Sequence, residues 1–297
     1  MYKANPDLCV DLLDAVRDGI CIVDRDRRIQ YWNSGAQHIA GYRADIVGRV
    51  CGEGTLVHCN EHGEPLCREE CPLTLAMETG LVQETDAFLR HAEGHLVPVH
   101  LRCSPCHDAS GALAGAAQVF HVNPGRWGAE DISERLRRLG QFDEITGVAN
   151  RRGADANLAR CIFEALRARA PFAVLKVDVD HLHDLNLARG EPAVDRALRR
   201  IARTLRGGLR ELDSVARCAG GEFLVLVAVE SPRVARDIAA RLCALASSCL
   251  GSDGTRVTVS IGGTLYYMSE AAAETLGRAD AALYTAKREG GNRVAWV

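Results

Sequence analysis

The chain has 297 residues, of which 47% are hydrophobic and 25% are charged, and its net charge is −3. This composition excludes a disordered protein and predicts about two domains with ordinary buried cores. Because Lys and Arg are scattered along the chain and no long apolar run occurs, we expect no nucleic-acid partner, no membrane segment and a cytoplasmic location.

Short strands separated by turns are predicted over about 8–124. Strands at 19–24 and 28–32 flank the turn "DRDR", a short helix follows, and three longer strand-like runs close the segment. The stretches "LLDAVRDGICIVDRDRRIQYWNSGAQHIAGY" and "EGHLVPVHLRCSPCHDASGALAGAAQVF" resemble, in this order, a PAS domain. The resemblance implies an α+β sensor domain built on an antiparallel sheet.

A group of cysteines and histidines interrupts this first domain. Its members are His58, Cys59, His62, Cys67 and Cys71. Three thiols with a histidine or a fourth thiol could form a tetrahedral zinc site or hold an iron–sulfur cluster. Cys103 is the candidate fourth thiol, because its strand parity with Val99 and Leu101 predicts that it faces the core.

Other interpretations of these cysteines stay open, since their spacing is not that of a known zinc finger. They could form a thiol redox switch, or they could be structural or inert. Haem bound through a histidine of the PAS pocket is a further alternative, although no histidine is singled out. Twelve cysteines in a chain of this length without a signal peptide do not indicate a disulfide scaffold.

A helical linker is predicted over 125–141. Ile132, Leu136 and Leu139 form one narrow apolar stripe on a charged helix, which favours a short coiled coil and a homodimer. A solvated linker helix is the alternative, since only about two heptads are present and Gly140 interrupts them.

From 142 to 297 the pattern changes to strands that alternate with longer helices. The apolar strand "FAVLKVDV" precedes an amphipathic helix, a glycine-containing hairpin and further helices and strands. We expect an α+β domain with a mixed sheet flanked by helices, of the kind that nucleotide cyclases and polymerase palms use.

The acidic end of this strand is the candidate site. Asp178 and Asp180 lie on the same side by the strand period of two, beside a hairpin that contains Gly220 and Gly221. Carboxylates suit Mg²⁺, and glycines let backbone N–H groups approach phosphates, so the pattern is typical of a magnesium–triphosphate site. An acidic cap at the strand end is the alternative.

Five motifs occur in the order and spacing of a GGDEF domain, the diguanylate cyclase family. They are "FDEITGVANRRG", "KVDVDHLHDLN", "RCAGGEF", "VTVSIGG" and "ADAALYTAKREGGNRV". In that family each domain holds one GTP, and two domains meet to form cyclic di-GMP. The resemblance therefore implies GTP and cyclic di-GMP as partners, Mg²⁺ as the cofactor with GTP, and a homodimer.

The resemblance also assigns roles to single residues. Asp178 matches the metal-binding aspartate, and Lys287 matches the lysine that reaches the triphosphate. Asn186 and Asp195 match the asparagine and aspartate that contact guanine.

An inhibitory site for the product is implied as well. Arg210 and Asp213 form the RxxD of that site, at the family's distance before the hairpin. An Arg fork beside an Asp suits the guanine edges and phosphates of a cyclic dinucleotide. The RxxD pattern by itself is common on helices, so its distance from the hairpin is what indicates an inhibitory site.

The hairpin departs from the family signature, because it reads Ala219-Gly220-Gly221-Glu222-Phe223. Glycine stands third, where the family has the acid that shares the metal with Asp178. Further departures occur at His183, Leu187 and Gly291. Mutation of the residues that hydrogen-bond to a metal ligand typically lowers metal affinity or activity by about 10–100-fold. Loss of a carboxylate that binds the metal directly should lower them further.

We therefore expect a PAS sensor that regulates a degenerate GGDEF domain, which binds GTP or cyclic di-GMP with weak or no cyclase activity. The alternative is an active cyclase that converts two GTP into cyclic di-GMP and two diphosphates. Its catalytic residues would be Asp178 and Glu222, if the hairpin shifts by one residue. A purely structural dimeriser is the third hypothesis.

Overall fold

The computed structural model describes residues 6–52, 54–67, 70–123, 140–251, 254–268 and 270–297. The chain divides into two compact units, Met1–Asn123 and Pro124–Val297. The predicted linker helix and its apolar stripe lie outside the described residues, apart from 140–141. The coiled coil therefore stays a prediction.

The first unit is a sheet that carries small helices. Its described strands are β1 (Gly19–Asp24), β2 (Ile29–Trp32), β3 (His58–Cys59), β4 (Gln83–Arg90), β5 (Leu96–His107) and β6 (Leu113–Val122). They pair in the order β2-β1-β6-β5-β4-β3, and these pairings are antiparallel. The described helices are α1 (Pro6–Ala15), α2 (Ser34–Ala40), α3 (Pro72–Thr79) and a 3-10 turn at Ala44–Ile46.

Asn33 connects three of these elements. Its side-chain oxygen accepts hydrogen bonds from the backbone N–H of Ile20 in β1, at 2.8 Å, and of Ala36 in the first turn of α2, at 2.8 Å. Its amide nitrogen donates to the carbonyl oxygens of Leu13, at 2.9 Å, and Asp18, at 3.0 Å. This residue therefore caps α2 and joins it to β1 and to the chain that precedes β1.

The second unit is a mixed sheet between helices. Its described helices are α4 (Arg151–Ala168), α5 (Leu182–Arg189), α6 (Glu191–Gly207), α7 (Pro232–Ser247) and α8 (Ala272–Arg288). Its described strands are β7 (Phe172–Val179), β8 (Ser214–Ala219), β9 (Glu222–Ala228), β10 (Val259–Leu265) and β11 (Val294–Trp296). The order is β11-β10-β7-β9-β8, with β10 and β11 parallel and the other pairs antiparallel.

Strand β7 lies in the middle of this sheet, and apolar residues cover it on both faces. Val177 belongs to the core cluster that includes residues of α6 and α7, whereas Val174 belongs to the cluster with residues of α4 and α8. This double burial is why the strand is a nearly continuous apolar run in the sequence. The run ends in acidic residues, so β7 delivers Asp178 to the edge of the core.

The predicted α+β class is confirmed for both units: an antiparallel sheet with helices in the first and a mixed sheet between helices in the second. Three helices, α1, α4 and α5, were not predicted. The buried residues of α4 are Gly153, Ala154, Leu158 and Ala165, and such small residues give a weak apolar periodicity.

Across the described ranges, no helix has both the length and the apolar character needed to span a membrane.

Candidate functional site

Asp178 lies one residue before the end of β7, with a neighbour on each side. In the register of the sheet it is opposite Glu222 of β9 and Ser260 of β10. Its carboxylate Oδ1 is 2.6 Å from the ammonium Nζ of Lys287, in the last turn of α8. The site therefore brings together the predicted metal-binding aspartate and the predicted triphosphate lysine, as a direct ion pair.

Asp180 has a different environment, although the sequence placed it beside Asp178. It is buried, and its carboxylate accepts hydrogen bonds from Thr258 Oγ1 at 2.7 Å, Ser260 Oγ at 2.7 Å and the backbone N–H of Asn292 at 3.0 Å. With these acceptors occupied, Asp180 joins the end of β7 to β10 and to the turn that follows α8. It is a structural residue and not a second acid of the site.

The signature hairpin turns between β8 and β9. Gly220 has φ 47°, in the left-handed region, and Gly221 accepts a hydrogen bond at its carbonyl from the N–H of Val179, at 3.1 Å. A Cβ atom at Gly221 would lie 3.0 Å from Cδ2 of Leu182 and 3.4 Å from Cβ of Val179. The third position of the signature therefore contacts β7 through its backbone, and it has no carboxylate.

Glu222 is the carboxylate that the hairpin does supply. It is exposed and directly opposite Asp178, a relation in which Cβ atoms are about 4.5–5.5 Å apart. The irregularity of the hairpin is on the other strand, where the register shifts between Arg217 and Ala219. Glu222 therefore neighbours Asp178 in the register that the sheet adopts.

An ion pair that the sequence analysis did not single out fixes the base of the hairpin. Arg217 Nη1 lies 3.3 Å from both carboxylate oxygens of Asp143, and its Nε donates to the carbonyl of Gly220 at 2.9 Å. Asp143 also accepts from the N–H and the hydroxyl of Thr146. Asp143, Arg217 and Gly220 border an open cleft of about 550 Å³, which Asn150 also lines. Asp143 belongs to the motif "FDEITGVANRRG" and Arg217 to the motif "RCAGGEF". Neither motif by itself indicates that the two residues form an ion pair.

The predicted guanine-contacting residues lie on the two helices after β7. Asn186 is exposed on α5, and Asp195 is half-buried on α6, where its carboxylate is 3.7 Å from Arg199 Nη2. Helix α5 begins after His181, whose φ of 55° turns the chain sharply at the end of β7. Because of this turn, α5 begins immediately after β7, the strand that carries Asp178.

The predicted inhibitory pair is compact. Asp213 is buried, and its Oδ2 accepts the backbone N–H of Arg210 at 2.9 Å. Burial raises the pKa of the Asp213 carboxyl, against the opposing effect of Arg210 and Arg206. Arg206 also donates to the carbonyl oxygens of Asp213 and Arg210, at 2.6 and 2.8 Å. The Arg210 side chain is exposed beside this fixed turn.

The family of the chain follows from comparison with known proteins. A family model described as "Diguanylate cyclase, GGDEF domain" matches residues 140–293, and a PAS-fold model matches residues 13–122. This chain belongs to the GGDEF family of diguanylate cyclases. It carries a PAS fold ahead of the GGDEF domain, as the sequence motifs predicted.

Curated relatives of the chain are named as diguanylate cyclases. The chain is 29% identical over 228 residues to diguanylate cyclase DgcP of Pseudomonas aeruginosa, covering 75% of this chain and 33% of that protein. It is 36% identical over 168 residues to diguanylate cyclase TpbB of Pseudomonas aeruginosa strain UCBPP-PA14, covering 54% of this chain and 38% of that protein. The matches thus span less than two fifths of either relative.

Solved structures resemble the second unit. The coiled coil and GGDEF domain of DgcB from Caulobacter crescentus, in complex with cyclic di-GMP, has a TM-score of 0.52 and 28% identity, covering 56% of this chain and 91% of that one. Diguanylate cyclase SiaD from Pseudomonas aeruginosa, in complex with its activator SiaC, has a TM-score of 0.52 and 30% identity, covering 56% of this chain and 65% of that one.

In the PAS domain of this GGDEF protein the predicted thiols are buried. Cys103 is 1% exposed and belongs to the core, as its strand parity predicted. Burial raises the pKa of Cys67 to about 11 and that of Cys103 to about 12, so both are protonated thiols at neutral pH. Cys21 and Cys51, which the sequence analysis left out of the cluster, are buried in the same core.

A metal at these thiols stays a prediction. Within the described ranges, the sulfur atoms of Cys59, Cys67, Cys71 and Cys103 belong to no group of three ligand atoms that lie within 4.8 Å of one another. Such a group is formed instead by His91, Glu93 and His95, in the turn between β4 and β5. There, the Nδ1 atom of His91 accepts the N–H of Glu93 at 3.1 Å, so this ring stabilises the turn.

Proposed function

We propose that this chain is a cyclic di-GMP signalling protein, in which the PAS domain is a sensor that regulates a degenerate GGDEF domain. The GGDEF domain binds GTP, cyclic di-GMP or both, with weak or no cyclase activity. One observation carries the proposal. The third signature position is Gly221, which has no carboxylate, and the remaining metal-binding candidate, Asp178, is already paired with Lys287.

Binding is supported by residues that the degeneration has not removed. Asn186 and Asp195 match the guanine-contacting positions, and Asn186 is exposed. Gly220 and Gly221 keep a hairpin whose backbone N–H groups suit phosphate oxygens. Relatives named as diguanylate cyclases support GTP as the nucleotide.

Cyclase activity is tested by incubating the full chain with GTP and Mg²⁺ and measuring cyclic di-GMP. We expect product near the background given by the Asp178→Ala variant. Clear product formation that Asp178→Ala abolishes would contradict the degenerate function and support an active diguanylate cyclase.

The active alternative has one observation in its favour, since Glu222 lies opposite Asp178 without any shift of the hairpin. If Glu222 replaces the missing acid, Glu222→Gln should also abolish product. The matched control is Glu230→Gln, which removes an exposed acid just beyond the end of β9.

Cyclic di-GMP binding is proposed at Arg210 and Asp213. The exposed Arg210 side chain beside a buried, hydrogen-bonded Asp213 suits a bidentate contact to a guanine edge or a phosphate. DgcB, which resembles this chain, was solved in complex with cyclic di-GMP.

Isothermal titration with cyclic di-GMP tests this site. We expect binding that Arg210→Ala abolishes and that Arg233→Ala, at a 92% exposed arginine of α7, leaves intact. Absence of binding for both cyclic di-GMP and GTP would favour the structural dimeriser.

The PAS cofactor and the oligomer are also proposals. Zinc, an iron–sulfur cluster, haem or a thiol redox switch would each use the buried thiols or a histidine of the PAS domain. Metal analysis and an absorption spectrum of anaerobically purified protein test this, because protein without zinc, iron or a visible chromophore would leave only a thiol redox switch or structural or inert cysteines. A homodimer is expected from the family's two-domain reaction, and a monomer in sedimentation experiments would contradict it.

A further inference from the structure

The place where the family implies Mg²⁺ has an unusual set of donors in this chain. Mg²⁺ requires nearly octahedral oxygen coordination and is usually held by one or two carboxylates plus substrate phosphates. Here the Asp178 carboxylate is 2.6 Å from an ammonium group, Gly221 has no side chain, and Glu222 is exposed on the neighbouring strand. This donor set does not fit a resident divalent cation.

In the ion pair, Lys287 neutralises the charge of the Asp178 carboxylate. Asp178 is 19% exposed and Lys287 is 41% exposed, so solvent screens the pair only in part. Any cation that approaches Asp178 meets the positive charge of Lys287 at the same oxygen atom. Without an acid at position 221, the strand end has less negative charge to compensate a divalent cation in addition to Lys287.

Lys287 is held in this place by the packing of its helix. A Cβ atom on Gly262 of β10 would lie 2.1 Å from the backbone nitrogen of Leu283 and 2.2 Å from the carbonyl oxygen of Ala279. The backbone of α8 therefore rests directly on β10, the neighbour of β7. After the helix, Asn292 donates its N–H to Asp180, which fixes the following turn to the end of β7.

An ammonium group fixed at a strand end has the chemistry of a phosphate site. Lysine has a compact, strongly hydrated charge with three donors, and it binds phosphate as a point charge. Unlike Mg²⁺, it needs no coordination shell of carboxylates. The nearby hairpin glycines add backbone donors without adding acid.

We propose that Lys287 takes the place of the divalent cation at Asp178, and that this domain binds guanosine triphosphate in the absence of any divalent cation. The inference rests on the proposed function, because it concerns the same nucleotide site. It makes Lys287 the main positive charge for the triphosphate, with Asp178 as the residue that positions its side chain.

Isothermal titration of the full chain with GTP, in EDTA and in excess Mg²⁺, tests the proposal. We expect the same affinity in both buffers. Lys287→Ala should weaken binding in EDTA by about tenfold or more. The matched control is Lys176→Ala, which removes another strand-to-helix ion pair, 3.0 Å from Asp280, on the same face of the sheet.

Restoring the missing acid gives an independent readout. In Gly221→Asp the new side chain meets the flexible end of Leu182 at 3.0 Å, and Gly221 has no positive φ, so the backbone tolerates the change. We expect this variant to bind GTP more weakly in EDTA and to recover affinity on addition of Mg²⁺. The matched control is Gly277→Asp, which adds the same charge at an exposed position of α8 where a Cβ atom meets nothing within 4 Å, and it should not gain this Mg²⁺ dependence.

The possible failures are distinguishable. Binding of GTP by the wild-type chain only with Mg²⁺, or unchanged metal-free binding by Lys287→Ala, would overturn the inference and leave GTP binding intact. No GTP binding in either buffer, by a chain whose circular dichroism shows it to be folded, would overturn both GTP binding and the inference.

Discussion

Asn33 and Asp180 show how single buried polar residues organise the two units. Each lies at the end of a strand and accepts hydrogen bonds from groups that would otherwise be buried without an acceptor. A buried donor without a partner costs about 1–3 kcal/mol, so these positions tolerate little change. This need of buried donors for an acceptor explains why Asp180 is a structural residue, whereas Asp178, two residues earlier, faces the site.

His58 gives the PAS domain a dependence on pH. It is buried, its Nε2 is 2.9 Å from the Gln118 amide nitrogen, and burial lowers its pKa from 6.5 to about 4. The unfolded chain therefore binds a proton before the folded one does. The stability that this group contributes is present above pH 6.5 and is lost as the pH falls towards 4.

We expect the unfolding free energy of the PAS domain to fall by up to about 3 kcal/mol over this interval because of His58 alone. Urea unfolding at a series of pH values measures the slope. His58→Gln should make the slope shallower, whereas His107→Gln, at an exposed histidine of the same domain, should not. Equal slopes for all three proteins would contradict this assignment.

At the scale of elements, the packing of α8 on β10 depends on glycine. Gly262 lets the helix backbone approach the strand, and Gly263 makes room for the ring of Trp296, which would be 2.1 Å from a Cβ atom there. Backbone atoms cannot move aside as the end of a side chain can. This contact therefore sets the position of the helix that carries Lys287.

Gly262→Ala should destabilise the GGDEF domain by about 1–3 kcal/mol or more, because the added methyl group overlaps the backbone of α8. The matched control is Gly277→Ala in α8 itself, where a Cβ atom would meet nothing within 4 Å. Removing a glycine from a helix interior should stabilise by about 0.5–1 kcal/mol. Calorimetry of both variants tests the pair, and equal effects would contradict the close contact.

At the scale of the whole molecule, the proposed ligands use different surfaces of one domain. GTP is proposed at the end of β7 and on the helices that follow, whereas cyclic di-GMP is proposed at the turn after α6. The chain matches less than two fifths of its curated relatives DgcP and TpbB, so these ligands have to be tested on this chain itself.

Hydrogen–deuterium exchange of the full chain separates the two surfaces. GTP should slow exchange over 178–195, and cyclic di-GMP should slow exchange over 206–213, because a bound ligand stabilises the folded state that it contacts. Arg210→Ala should remove only the second effect. A single protected region common to both ligands would contradict the assignment of two sites.

Several features could be predicted from the sequence because they depend on local pattern. The apolar run of β7 predicts a buried strand, and the glycines before Glu222 predict a hairpin. Helices α6 and α7 have clear apolar faces. By contrast, α4 buries mainly small residues and α5 buries none, so their apolar periodicity was too weak to predict them.

The sequence by itself determined the order of the two domains, the α+β class and the loss of the acid at position 221, because motifs and alternation are read along the chain. Only the tertiary structure decided that Asp180 is a scaffold residue, that Glu222 is opposite Asp178, and that Lys287 contacts Asp178. These relations join residues up to 112 positions apart, since Asn292, which donates to Asp180, follows it by that number. Contacts between such distant residues depend on strand register and helix packing, which no local pattern specifies.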